Sequence, residues 1–168
     1  MKIMHRKGIL VLVWLGVLLL SGCANDMTPQ TGAVARPEDR FELVQGGVYD
    51  GDLSTDNLNM TYSLTESGDT YTLSGSLSFN GSLTDSFPLV QEFILKMSFL
   101  DGEGRVLETV DISPLVDFHL APSQIPVQAS GARPAGAKAI AFNYFGQFRG
   151  RDTAIGGDTW DISYFPYE

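Results

Sequence analysis

Residues 58–79 read LNMTYSLTESGDTYTLSGSLSF. From Leu58 the apolar side chains fall on every second position: Leu58, Met60, Tyr62 and Leu64, with Asn59, Thr61 and Ser63 between them. The alternation resumes with Tyr71, Leu73, Leu77 and Phe79 against Thr70, Thr72, Ser74, Ser76 and Ser78. Successive side chains of a β-strand point to opposite faces, so each run buries one face and wets the other. Glu66-Ser67-Gly68-Asp69 supplies turn chemistry between the runs. The segment is therefore predicted to be a β-hairpin.

The same period continues outward. Leu89–Leu100 places Leu89, Phe93, Leu95, Met97 and Phe99 on one face, and Glu92, Lys96 and Ser98 with Ile94 on the other. Asp101-Gly102-Glu103-Gly104 turns the chain, and Val106, Val110 and Ile112 return as a shorter strand. In Ala137–Phe148 the shared face carries Ile140, Phe142, Tyr144 and Phe148, which leaves Phe145 on the opposite one. In Thr159–Phe165, Trp160, Ile162 and Tyr164 alternate with Asp161 and Ser163. Phe41–Val44 is a candidate edge strand. Residues 113–136 hold four prolines and few periodic positions. They are read as a long connection with a short strand or helical turn near Leu115–Leu120. About seven strands result, with no helix after the leader and no repeat. A sheet that is apolar on one face needs a second layer to cover it. The expectation is an all-β fold, an antiparallel β-sandwich of immunoglobulin-like topology, following a signal helix and a flexible tether.

The amino-terminal region is read from charge and hydropathy. Lys2, Arg6 and Lys7 precede the uncharged apolar run Gly8–Leu20. That is the layout of a secretory signal, and the run is shorter than the roughly 20 apolar residues needed to span a bilayer. Leu20-Ser21-Gly22-Cys23 closes it and resembles the lipobox of bacterial lipoproteins. The resemblance implies cleavage after Gly22, diacylglyceryl transfer to the Cys23 thiol and acylation of the new amino terminus. Two or more acyl chains hold a protein stably on a membrane. Similar lipoproteins that stay in the inner membrane carry Asp after the cysteine. Ala24 stands there in this chain, which implies the outer membrane of a Gram-negative cell, facing the periplasm or the cell surface. Residues 24–40 (ANDMTPQTGAVARPEDR) are polar and carry Pro29 and Pro37. They are read as a flexible tether with a root-mean-square reach on the order of 20 Å. The expected organisation is a signal peptide over 1–22, a lipidated cysteine and tether over 23–40, and one sandwich domain over 41–168.

A second resemblance lies inside the domain. Residues 93–107, FILKMSFLDGEGRVL, are similar to the centre of FxLyD-type domains of bacterial surface proteins, where a strand ends in Asp, turns through Gly and returns as a short valine-rich strand. Pro134-Ala135-Gly136-Ala137-Lys138, leading into an aromatic strand, is similar too. The aromatic tail after Gly150 has no counterpart there. This resemblance implies an immunoglobulin-like fold and carries no activity with it.

Composition narrows the function. The leader carries three basic and no acidic residues, so its removal takes the formal net charge from −9 to −12. Such acidity argues against nucleic acid and against electrostatic docking on anionic lipid. Cys23 is the only cysteine, which rules out a disulfide within the domain and a Cys-His nucleophilic pair. His119 is the only histidine after the leader, so a histidine-rich zinc site is excluded and a Ser-His-Asp triad would depend on that one residue. No G-x-S-x-G elbow and no Gly-rich phosphate loop is present. Asp50, Asp52 and Asp56, with Asn57, are hard oxygen donors of the kind that Ca²⁺ favours. Their spacing departs from an EF-hand, and the alternative is a solvated acidic turn. No other cofactor is indicated.

Aromatic residues are the remaining lead. Phe145, Trp160, Tyr164, Phe165 and Tyr167 are candidates for an exposed interaction surface. The alternative is that a second layer or the tail itself covers Phe145. The expected function is a lipid-anchored, non-enzymatic interaction or structural module with an envelope protein partner. The alternative is a small-ligand or glycan binder that stacks its ligand on Trp160, Tyr164 or Phe145. A lipid-anchored hydrolase is a third reading.

Overall fold

The computed structural model describes residues 27–43, 46–114, 120–151 and 158–168. The predicted hairpin is present and longer than the alternation indicated. Its strands are β3 (Leu58–Ser67) and β4 (Thr70–Phe79). They pair from Leu58↔Phe79 to Ser67↔Thr70, so Gly68 and Asp69 alone make the turn. Gly68 sits at φ 61°, a left-handed conformation that glycine adopts without a Cβ penalty. The other elements are β1 (Phe41–Glu42), β2 (Val48–Ser54), α1 (Gly81–Ser86), β5 (Leu89–Leu100), β6 (Val106–Asp111), β7 (Ile125–Ala132), β8 (Ala139–Arg149) and β9 (Thr159–Tyr164).

The strands form two antiparallel sheets. One has the order β2-β3-β4-β7; in the other, β8 pairs β5, β5 pairs β6, and β1 and β9 both pair β8. The chain leaves β4 for the second sheet, makes the β5–β6 hairpin, returns as β7 beside β4, then crosses again as β8 beside β5. This crossing makes the fold a β-sandwich with immunoglobulin-like Greek-key connections, as expected. The inward face of β3 and β4 meets that of β5 and β8. Tyr62 lies edge-on to Phe142 at 4.9 Å, Tyr71 to Phe99 at 5.0 Å, and Phe79 to both Phe93 and Phe148 at 5.0 and 4.9 Å. Edge-to-face contacts of this kind add to the burial of apolar area.

Three elements differ from the sequence reading. Asp50 and Asp52 belong to β2, a strand and not a loop; Tyr49, Gly51 and Leu53 turn inward from it, and only Leu53 is fully buried. With an aromatic and a glycine at two of three inward positions, the alternation is weak to the eye. β7 falls within the stretch read as a connection. It tolerates Pro126 because it is the edge of its sheet, where a missing N–H leaves no ladder bond unmade. The short element expected near Leu115–Leu120 lies almost wholly outside the described residues. α1 is a single short helix between β4 and β5, too brief to show a 3.6-residue period.

The largest difference concerns the tether. Residues 27–40 are not a free linker; they are seated on the outward face of the five-stranded sheet. Val34 bridges to Arg105 and Ala35 to Tyr167. Gly32 donates to the Val106 carbonyl at 2.8 Å, Val106 to Ala33 at 2.8 Å and Ala35 to Gly104 at 2.9 Å. Ala35, fully buried, forms a second small core with Leu100, Val106, Ala139 and Ala141, joined by Ala33 and Tyr167. Residues 27–40 thus belong with the domain expected to start at 41. Backbone hydrogen bonds and small side chains hold this strap, and neither leaves a hydrophobic period in the sequence.

Candidate functional site

The sequence candidates divide between three places. Trp160 leads the first. It is the second residue of β9, opposite Phe148, and is 53% exposed, although Ile162 two positions on is buried. Its ring stacks on Phe87 at 5.8 Å and 23°. Phe87 directly follows α1 and its N–H donates to the Leu83 carbonyl at 2.8 Å, so the helix end fixes its position. Trp160 and Phe87 form one wall of a cleft of about 250 Å³ whose other lining residues are Asp56, Asn57, Ser82 and Leu83.

The polar side of this cleft is held by a local network. Asn80 donates its side-chain amide to the carbonyls of Asp56 at 2.7 Å and Thr55 at 3.2 Å. Its N–H donates to the Asn57 carbonyl at 2.9 Å. The Thr55 and Tyr144 hydroxyls lie 2.8 Å apart, and Asn57 donates to the Tyr144 hydroxyl at 3.4 Å. The β2–β3 turn is therefore fixed to α1 and to the core. Its exposed Asp56 carboxylate and the Ser82 hydroxyl border an aromatic face. A flat indole beside an amide, a carboxylate and a hydroxyl can stack a sugar ring or an aliphatic group and hydrogen-bond its substituents.

The second place is a trough of about 600 Å³ along the outward face of the four-stranded sheet, lined by Asp50, Gly51, Asp52, Thr61, Tyr62, Ser63, Ser74, Gly75 and Ser76. It is larger than the cleft, but wide open and dominated by short hydroxyl side chains. It contains Asp50 and Asp52 without Asp56, which lies in the first cleft. The three carboxylates proposed for calcium are thus divided between two sites. Among the described residues no group of three His, Cys, Asp or Glu side chains stands close enough to hold a metal ion.

The third place is the outward face of the five-stranded sheet. Tyr167 is not an exposed tail residue. It packs into the second small core and donates its hydroxyl to Ser98 Oγ at 2.8 Å, and the Ser98 and Thr109 hydroxyls lie 2.7 Å apart. Burial pushes the Tyr167 phenol up to about 12. Tyr164 is on the inward side instead, packed against the main core, and is not a free platform either: it stacks on Tyr144 at 5.7 Å and 19°, and its hydroxyl donates to Asp39 in the strap. Burial raises its pKa, and the Asp39 bond adds to the shift. Phe165 is 45% exposed and lies edge-on to Tyr167 at 5.1 Å. Phe145 is half-buried, opposite Ile94 on β5 and Ser163 on β9. Of the five aromatic candidates, only Trp160 stands in a cleft with polar neighbours.

Phe87 and Ser82 were not singled out from the sequence, and Asn57 was noted only as an oxygen donor beside Asp56. Each sits in a different turn or helix, and only the tertiary fold brings them to Trp160. Gly22, Cys23 and His119 lie outside the described residues. The chain matches no family model, no curated protein and no solved structure.

Proposed function

We propose that this chain is a cell-envelope lipoprotein, held to a membrane through Cys23, whose β-sandwich is a non-enzymatic binding module. The observation that carries the binding assignment is Trp160, a large aromatic side chain kept half in water at the edge of a cleft. An exposed aromatic against a preformed wall is the usual anchor of an interface. Support for the anchor comes from the resemblance of Leu20-Ser21-Gly22-Cys23 to a lipobox, and the expected location is the outer membrane.

The test is cross-linking of the full-length protein in intact cells, beside a Trp160→Ala variant and a Cys23→Ala variant. One dominant envelope protein, retained by the wild type and lost from Trp160→Ala, is the expected result. Equal recovery from both would remove the cleft from the binding surface. Release of Cys23→Ala from the membrane fraction is expected, and its retention there would overturn the anchor.

A second reading is favoured by Asp56, Asn57 and Ser82 beside the indole: the ligand is a glycan. Trp14 lies in the leader, so Trp160 is the only tryptophan of the processed chain and its fluorescence reports directly on the cleft. Titration with envelope oligosaccharides should shift its emission, and no change with any of them would dismiss this reading.

A further inference from the structure

We propose that the outward face of the five-stranded sheet, around Met27, Ile94 and Phe145, is the face that lies on the bilayer. This rests on the reading of Cys23 as the acylated residue. What orients the domain is the short length of chain between the anchor and Met27, which the fold holds.

The grip is at Met27. Lys96 and Asn143 are cross-strand partners in the middle of this face. Asn143 donates to the Met27 carbonyl at 2.6 Å, and Lys96 donates to the Thr28 hydroxyl. From there the strap runs to Gly32, Val34 and Ala35, bonded to Val106, Arg105 and Gly104. Only four Cα–Cα steps separate Cys23 from Met27, and fully extended they span at most about 14 Å. The tether is thus a short leash and not the roughly 20 Å coil expected when all of residues 24–40 were free.

That length selects a face. The two sheets of a sandwich lie about 10 Å apart, with side chains projecting beyond each. A leash of about 14 Å starting on the outward side of one sheet cannot pass around an edge and bring the other sheet to the lipid. The Ser- and Thr-lined outer surface of the four-stranded sheet therefore faces the aqueous space. The row beside Met27 is Ile94, Phe145 and Ser163, paired across β5, β8 and β9. Phe165, exposed, follows the end of β9. Apolar side chains such as these can bury into the boundary between headgroups and acyl chains. The next row carries Glu92 and Asp161, with Gln147 between them donating to Asp161 at 3.1 Å. These carboxylates keep the contact at the interface and oppose deeper insertion. Orientation comes from the leash, and the apolar row makes the contact tolerable.

Acylated Cys23 has no free thiol, so an introduced cysteine is the sole labelling site of the processed protein. Full-length acylated Phe145→Cys and Ser74→Cys, each carrying a fluorophore, would be reconstituted in phosphatidylcholine vesicles containing headgroup-nitroxide lipid. Severalfold stronger quenching at position 145 than at 74 is expected. A Gly/Ser insertion after Ala24 long enough to free the leash should erase the difference, and its persistence would overturn the leash as the cause. Equal quenching at both positions in protein that floats with the vesicles would overturn the orientation alone. Protein that fails to float, or a Cys23→Ala variant that floats equally well, would instead overturn the anchor reading and this inference with it.

Discussion

Asn143 donates its side-chain amide to the Met27 carbonyl at 2.6 Å, across 116 positions of sequence. Asn143 is fully buried, and its Oδ1 has no hydrogen-bond partner. A buried amide with one committed donor is kept in place by what it holds. Asn143→Ala should cost about 1–3 kcal/mol, measured by urea denaturation. The sharper readout is hydrogen exchange: amides of residues 30–36 should exchange faster in the variant, with the β3–β4 hairpin unchanged. Unchanged protection in the strap would mean that its backbone bonds to β6 and the carboxy-terminal tail suffice.

Tyr167 links stability to high pH. Its phenol titrates near 12 in the folded protein and near 10 when unfolded. Between those values the folded state binds more protons than the unfolded one, so stability falls as pH rises. Below the unfolded value the contribution is fully present. Tyr62 and Tyr164 are shifted upward as well and act in the same sense. The Tm should therefore drop steeply from pH 10 to 12, and Tyr167→Phe should make that drop shallower by about one proton's worth of slope. An identical slope in the variant would show that Tyr167 titrates normally.

Gly75 is the least replaceable glycine of the sheet. A Cβ at this position would stand 2.5 Å from the Thr61 carbonyl oxygen, a backbone atom that cannot rotate away. Gly75→Ala should destabilise by about 1–3 kcal/mol through forced backbone movement. Gly68→Ala, strained by its positive φ but with open space around it, should cost about 1 kcal/mol. Thermal melts of the two variants should rank in that order.

Trp160 and Phe79 separate binding from folding. Phe79 is wedged between Phe93 and Phe148, and Phe79→Ala should cost about 3–5 kcal/mol. Trp160 is half-exposed, and Trp160→Ala should cost no more than about 1 kcal/mol while abolishing binding at the cleft. A large stability loss from Trp160→Ala would make the indole a structural cover for Phe87 and not a ligand platform.

The residues that the sequence displayed best are those whose neighbours along the chain repeat every second position. Leu58 to Phe79 announces a hairpin because its turn is local and its alternation unbroken. The bounds of β5 were legible too, but a bulge between Val90 and Glu92 puts Val90, and not Leu89 as the alternation indicated, in the core. β2 was not legible, because its inward positions are Tyr49, Gly51 and Leu53, and an inward glycine reads as a turn. β7 was hidden by Pro126, a residue that excludes a central strand and permits an edge. The candidate site fared likewise: Trp160 was visible as a lone aromatic, but its partners come from α1 and the β2–β3 turn.

The sequence by itself determined most of the strands, the buried face of those with clear alternation, and the sandwich that two half-apolar sheets must form. Those properties follow from side-chain alternation, which is written residue by residue. Only the tertiary structure decided what lies over the outward faces. A period of two shows that Ala141, Asn143 and Phe145 share a side, and cannot show that a strap joined by backbone hydrogen bonds covers Ala141 and Asn143. The exposure of Trp160, the burial of Tyr167 and the shortness of the leash at Met27 all depend on that distant packing. Long-range contacts are chosen by the fit of whole surfaces and not by any local pattern.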